Sequence, residues 1–525
     1  MSLLSSDAVD RLRDAFRSIG YLTDPVLEAI GEQGQRGLGR NTTVAASCAL
    51  DAREDREKGI AAAAQDPLSA VIRLWLLRQP VPVAELSALP MEDLVAAGIV
   101  AVDGDLARGE VDIRPYGSPD DGADGWVVSD STPGLDRVIT RTRPDYVLGV
   151  SPASTSLAQM TSRRRVGSAL DLGCGCGVQS LHLARHAGRV IATDVNPRAL
   201  EMAELTLALS GAGTADSSDD GPAAASAGRP VELRQGSLFE PFRGPTPERF
   251  DLIVSNPPYV MSPPRPAAER LTYREAGFEG DGLVEAVVRG VPDHLAEGGT
   301  AQILANWAVL GDQPWQERLA GWVAGTGCDL WVVERESLDV HEYIETWLTD
   351  AGLDGSPSWH DRYTEWLGYF ARLGITGVSM GWLTLTDAGR SQPDLSFESW
   401  PWAIQQPVGP AIGQHREGVD DAQLADPQLL AGRWKVRDDV ICESTSRPGA
   451  AGPEHIVYRQ HTGLCRAMEV DTLLGGVLGA CDGDLALGTI IEVVASILEA
   501  DADQATAEVL PRVRTALREG FLVRC

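Results

Sequence analysis

Ser168-Ala-Leu-Asp-Leu-Gly-Cys-Gly-Cys-Gly177 is the stretch on which the reading of this chain turns. A short apolar run ends in an acid and three alternating glycines, and an amphipathic stretch, Val178 to His186, follows. That order spells strand, tight turn, helix. Glycine lets the backbone approach a ligand closely, and a helix start offers oriented N–H groups. The next apolar run, Arg189-Val-Ile-Ala-Thr193, ends in Asp194, about twenty residues after the turn. An acid at that separation suits a ribose diol. Strands alternating with helices predict an α/β fold whose ligands bind at the C-terminal strand ends.

Two more strand ends fall into line downstream. Val231-Glu-Leu-Arg-Gln235 runs into Gly236-Ser237-Leu238-Phe239, and Phe250-Asp-Leu-Ile-Val-Ser255 runs into Asn256-Pro257-Pro258-Tyr259. Consecutive prolines fix φ and remove two backbone donors, which leaves carbonyls free to accept. An Asn oxygen beside a proline carbonyl can accept both hydrogens of a planar –NH2 group, and an aromatic ring can stack on that plane. Asn-Pro-Pro is also an ordinary stop after a strand. Its weight here comes from four successive strand ends that carry polar or glycine residues. Asp171, placed just before the first glycine, would repel a pyrophosphate and hold an ammonium group, which separates this turn from a dinucleotide site.

Taken together, these residues resemble the class I S-adenosylmethionine (SAM) methyltransferases over roughly Asp130 to Gly389. The resemblance implies a Rossmann-like, seven-stranded core and SAM as cofactor. It implies that Asp171, Gly173, Gly175 and Gly177 cradle the methionine side, that Asp194 clamps the ribose, and that Ser237 and Leu238 border the adenine. Many relatives carry an Asp where Ser237 stands. Asn256 would lie at the junction of cofactor and acceptor, holding the acceptor nitrogen with the Pro257 carbonyl. Pro258 would stiffen the loop and Tyr259 would stack on the acceptor. Further on, Gly280-Asp281-Gly282-Leu283 is similar to a segment of the HemK/PrmC glutamine methyltransferases, and it also reads as a turn with Asp281 as helix N-cap. The expected acceptor is therefore a protein glutamine. The alternative is an exocyclic base amine in rRNA, tRNA or DNA, because adenine-N6 enzymes and guanine-N2 ribosomal RNA enzymes of the RsmC type share the core logic. Phe is usual in the guanine group where Tyr259 stands. A SAM-binding scaffold without turnover is the third reading.

Charge points the same way as the glutamine segment. The 525 residues include Lys+Arg 45 against Asp+Glu 75, a formal charge of −30, which argues against a general nucleic-acid binder. Lys58 and Lys435 are the only lysines. Local basic clusters exist at Arg137, Arg141 and Arg143 and at Arg163-Arg164-Arg165, readable as solvated helix ends or as a small phosphate-contact surface.

A chain of this length holds several domains. Residues 1–125 read as an N-terminal helical, winged-helix-like domain: helices around Pro67–Leu77, Val83–Ser87 and Met91–Val100, then a hairpin of Ala101–Ala107 with Val111–Tyr116. With two acids and no base on its third helix, the module is expected to dock protein. Residues 126–390 form the methyltransferase domain, with 211–230 expected as a disordered, low-complexity insertion. Trp359–Leu373 reads as a core-packing helix, or as a cover that brings Tyr363, Trp366 or Tyr369 near the acceptor. Residues 391–525 read as a C-terminal α+β accessory domain, with a winged-helix pattern that lacks a clear wing, for acceptor holding or dimerisation; the sequence does not define the oligomeric state.

The eight cysteines and eight histidines show no metal-ligand spacing. Cys174 and Cys176 read as small buried residues of the turn. No apolar run reaches membrane-spanning length and no signal pattern opens the chain, so a cytoplasmic location is expected.

Overall fold

The computed structural model describes residues 3–58, 66–138, 143–214, 228–265, 277–449 and 452–525. The chain forms two compact units, Met1–Ala158 with Arg165–Trp400, and Gln159–Arg164 with Pro401–Cys525. The first therefore holds both the amino-terminal elements and the central sheet.

That sheet contains β1 (Val166–Leu172), β2 (Ala187–Asp194), β3 (Ala212–Thr214), β4 (Gly228–Gln235), β5 (Phe250–Ser255), β6 (Leu295–Leu310), β7 (Asp329–Asp339), β8 (Ile375–Thr386) and β9 (Leu395–Ser399). Their order is β9-β7-β8-β6-β5-β1-β2-β4-β3. All neighbours run parallel except β8, which is antiparallel to both β6 and β7. The expected seven strands become nine, because a short strand is added at each edge. One of these, β3, lies with the start of β4 in the segment expected to be disordered: Ala212 pairs with Gly228 and Thr214 with Val231. Residues 215–227 of that segment are outside the described residues.

Helices α1 (Val178–Leu183), α2 (Pro197–Leu209), α3 (Gly282–His294), α4 (Trp315–Val323), α5 (Val340–Asp350) and α6 (Trp359–Leu373) connect the strands. Leu170, Leu172, Ile253, Ala301, Ile303 and Trp307 supply one sheet face, which packs against Val284, Val287 and Val291 of α3 and Leu319 and Trp322 of α4. The spacing of those α3 valines is the apolar stripe of a helix that lies on a sheet.

The centre of the sheet leaves no room for an added methyl. A Cβ on Gly381 of β8 would lie 2.1 Å from the Val333 carbonyl oxygen, where β7 departs from regular register between Glu334 and Glu336. Because the obstacle is backbone, we expect Gly381→Ala to destabilise the protein by about 2–3 kcal/mol. Calorimetry should show a melting temperature lower by roughly 5–10 °C.

The amino-terminal elements depart from the expected hairpin. Val100–Asp103 pairs with Leu106–Gly109 around Gly104 at φ 63, and Leu106 and Ala107 also pair with Val81–Pro82. Asp112–Gly117 instead pairs with Asp124–Ser129. The acidic loop at 117–125 is thus the tip of a second hairpin, which is tied to α2: Trp126 N donates to Ser210 Oγ at 3.1 Å and Val128 N to Thr206 Oγ1 at 2.9 Å.

The second unit has helices Gly409–Ala422, Asp426–Ala431, Thr472–Gly479, Leu487–Ile497 and Ala502–Arg518 around Trp434, Leu474, Ile491 and Val513. It carries two three-stranded sheets, one of them the antiparallel set Val440–Thr445, His455–Gln460 and Ala467–Val470. Among the described residues no helix is long and apolar enough to cross a membrane.

Candidate active site

Register brings the quoted motifs to one edge. Leu172 at the end of β1 lies beside Thr193 and Ser255, and Asp194 at the end of β2 lies beside Gln235. Gly173, Asp194, Ser237 and Asn256 therefore follow four adjacent strands at the same edge, where chain order reverses between β1 and its neighbours β2 and β5. This is where open α/β sheets bind ligands.

The glycine turn is held from beneath. Gly173 N and Cys174 N both donate to Thr193 O, at 2.9 and 2.8 Å. Gly173 and Gly175 have φ of 80° and 52°, and a Cβ on either would meet nothing within 4 Å, so both face open space. Gly177 differs. A Cβ there would lie 3.0 Å from that of Ala203, so this glycine lets α2 approach the turn. The helix after it is also shorter than the pattern to His186, ending at Leu183.

Two carboxylates flank the turn. Asp171 is 1% exposed and accepts from the Ser180 hydroxyl at 2.6 Å. Burial, with a further contribution from nearby Asp194, pushes its carboxyl up to about 7 despite the Ser180 bond. Asp194 accepts from Gly175 N at 3.0 Å and Asn196 N at 2.8 Å, and burial raises it as well. Two buried carboxyls, one raised further by the other, form a site short of positive charge. An ammonium or sulfonium placed in the open cradle would relieve both, and Asp194 keeps lone pairs for hydroxyl donors. Ser180 had no signal in the sequence beyond its helical setting.

Neither cysteine of the turn is a thiolate. Cys174 and Cys176 are buried, and burial pushes the Cys176 thiol up to about 11. Among the described residues no cluster of His, Cys, Asp or Glu is placed to hold a metal ion. At the end of β4, Leu238 has φ 49, a left-handed conformation that is rare for a side chain with Cβ. Strain of this kind collects at functional turns.

The Asn256–Tyr259 loop is the most constrained part of the edge. Asn256 Oδ1 is buried and has no hydrogen-bond partner among the described residues. Pro257 is buried, Pro258 half-buried, and the half-buried Tyr259 ring meets Trp347 of α5 edge-on at 6.5 Å. Met261 N donates to the Tyr343 hydroxyl of α5 at 3.0 Å, and Gly280 N to the Tyr369 hydroxyl of α6 at 2.7 Å. Trp366 and Tyr369 are buried in a cluster with Val260 and Met261, while the Tyr363 hydroxyl bonds Glu345 at 3.0 Å. The core-packing reading of α6 thus holds, and α5 is the helix that meets Tyr259. Tyr343→Phe should leave the Met261 N–H unpaired and loosen the loop. Steady-state kinetics should show kcat reduced about tenfold, with SAM affinity unchanged.

The Gly280-Asp281-Gly282-Leu283 segment needs a correction. Asp281 occupies the N-cap position of α3 but its side chain makes no cap bond. It accepts instead from Ala308 N at 2.7 Å and is paired with Arg318 of α4, which also donates to Ala308 O at 2.8 Å. This acid joins α3, α4 and β6. Tyr273–Ala276, quoted with it, lie outside the described residues, as does Arg141; Arg164 pairs with Glu417 at 3.6 Å.

The sheet order and this row of strand ends agree with the Rossmann-like methyltransferase core expected from the sequence. Residues 149–313 match the model of the methyltransferase small domain, a class that implies SAM as methyl donor. Residues 18–110 and 419–524 match two domains of unknown function, DUF7059 and DUF7782. Ribosomal RNA small subunit methyltransferase C of Cronobacter sakazakii is 30% identical over 192 residues, covering 36% of this chain and 45% of that protein. The Escherichia coli O1:K1 protein of the same name is 31% identical over 162 residues, 30% of this chain and 36% of that one. The chain thus spans less than half the length of these curated relatives. Among solved structures, a ribosomal protein L11 methylase from Lactobacillus delbrueckii subsp. bulgaricus is 17% identical, with TM-score 0.24 over 37% of this chain and 79% of that one. A methyltransferase from Pyrococcus furiosus is 16% identical, with TM-score 0.25 over 46% and 85%.

Proposed function

We propose that this chain transfers the SAM methyl group to an exocyclic base amine of small-subunit ribosomal RNA. The observation that carries an N-methyl transfer is the buried, unpartnered Oδ1 of Asn256 at the open edge of the sheet, beside the glycine cradle. An acceptor held dry and unpaired is suited to an amine hydrogen, because pairing removes its desolvation penalty.

The choice of RNA over glutamine rests on two supports. Both relatives above carry the name of small-subunit rRNA enzymes. The segment that favoured glutamine has its acid committed to Arg318 and Ala308, so it no longer argues for that acceptor. Net charge weighs the other way, which is why protein belongs among the substrates tested.

SAM supplies an activated methyl on a sulfonium. In this reading Asp171, Gly173 and Gly175 receive its charged amino-acid end and Asp194 its ribose; Ser237 and Leu238 border its adenine. Gly177 acts on the cradle through its packing on Ala203. Asn256 Oδ1 and the Pro257 carbonyl accept the two amine hydrogens, favouring pyramidal nitrogen and taking up positive charge as it attacks. Pro258 keeps the loop rigid and Tyr259 stacks on the base.

Radiolabelled SAM, the full chain and three substrates test this: in vitro transcribed small-subunit rRNA, genomic DNA and whole-cell protein. Label in the RNA, on guanine N2 or adenine N6 after nucleoside analysis, is the expected result. Label confined to protein would restore glutamine, and SAM binding without label would favour a scaffold.

A further inference from the structure

Asn306 of β6 lies outside every motif quoted above. It is 2% exposed, and its side-chain Nδ2 has no hydrogen-bond partner among the described residues. Nearly all buried polar groups in native proteins are paired, so such a donor needs an explanation.

Its position supplies one. β6 runs beside β5 with Ile303 opposite Ser255. Asn306 is three residues further on, on the order of 10 Å past the last rung of β5. Side chains alternate along a strand, and Ala301, Ile303, Ala305 and Trp307 point into the core shared with α3 and α4. Asn306 therefore faces the other side, with Ala308, which packs against Val260 and Met261. That face also carries Asp171, whose neighbour on β5 is Val254. Val260 and Met261, which close the loop from Asn256, share a buried cluster with Ala308, two residues beyond Asn306 on the same face. One buried oxygen, Asn256 Oδ1 just past the end of β5, and one buried amide nitrogen, Asn306 Nδ2 on the adjacent β6, are unpartnered among the described residues.

We propose that Asn306 is a specificity-determining residue, whose Nδ2 donates to the lone-pair atom beside the target amine. This rests on the base-amine reading and deepens it. An exocyclic base amine sits on a carbon that is also bonded to a ring nitrogen with an in-plane lone pair. Asn256 takes the amine hydrogens and Asn306 reads that ring nitrogen. A simple alkylamine offers no such neighbour, so the pair selects a planar amine with an acceptor atom beside it, which in the base-amine reading is the N–C=N edge.

The test compares N306D and N306A with the wild type on in vitro transcribed small-subunit rRNA at saturating SAM, each as a ratio to wild type at the same pH. At pH 8 the aspartate of N306D can only accept, and kcat/KM should fall about 100-fold; N306A should fall about 10- to 100-fold. At pH 6 a buried carboxyl is largely protonated and donates an O–H, so N306D should recover about tenfold while N306A does not. SAM affinity should stay within about threefold in both. Activity of both variants within threefold of wild type at pH 8 would overturn the proposal. So would an N306D loss that is the same at both pH values, which marks a purely structural role. Should N306D fail to fold, N306A decides through its kcat/KM and unchanged SAM affinity. Wild-type protein that binds SAM but leaves the RNA unlabelled overturns the base-amine reading itself, and this proposal with it.

Discussion

Asn256→Ala is expected to lower methyl transfer to RNA about 10²- to 10³-fold while SAM affinity changes less than about threefold. The size follows from where the oxygen sits. Its partner is made only by the acceptor, and the interaction strengthens as positive charge develops on the nitrogen. The loss should therefore appear in kcat and kcat/KM together, the signature of an interaction specific to the transition state. Among the described residues no other group bonds Asn256 Oδ1. Thermal stability should consequently stay near that of wild type. Single-turnover transfer with a separate calorimetric SAM titration checks both halves, and a variant that turns over at the wild-type rate would remove Asn256 from the reaction.

Asp171→Asn should have the second large effect, on cofactor binding and on stability in opposite directions. In the free protein burial holds the Asp171 carboxyl at about 7. A cationic ligand needs the anion, so the proton must leave on binding. SAM affinity should be flat above pH 7 and weaken about tenfold per pH unit below it. The Asn variant should bind about 100-fold more weakly at pH 8 and lose that pH dependence. The stability sign runs the other way. The folded state keeps a proton that the unfolded chain releases near its ordinary value of 3.8, so this residue lowers stability as pH rises from about 4 to about 7. Above pH 7 the penalty is on the order of a few kcal/mol. The Asn variant should thus melt several degrees above wild type at pH 8 and level with it near pH 4. Titration calorimetry and melting curves at those pH values decide it; a variant that binds SAM normally at pH 8 would be inconsistent with an Asp171 contact.

The features legible in the sequence were those that a few adjacent residues impose. Glycines at 173 and 175 adopt left-handed φ in the structure, and two prolines stop β5 where the pattern stops. Such constraints act within one or two peptide units. The expected hairpin partner was wrong because Ala101–Ala107 and Val111–Tyr116 are equally good strands, and pairing is settled by the turn at Gly104 and by packing of the second hairpin on α2. β7 went unread although Leu330-Trp-Val-Val333 is an apolar run, since its place beside β8 follows a connection of two helices.

The chain alone determined the strand ends, the glycine turn and the Asn-Pro-Pro-Tyr loop, and with them the edge of the sheet at which to look. Tertiary structure decided what each group can do there. Asp281 became a strut through Arg318, 37 residues away; Gly177 became a packing contact through Ala203; Asp171 acquired a carboxyl near neutrality; Asn256 and Asn306 were left dry and unpaired. Backbone preference is written by neighbours in sequence. Burial, pairing and desolvation depend on partners distant in sequence, and those energies exist only once the sheet and helices have come together.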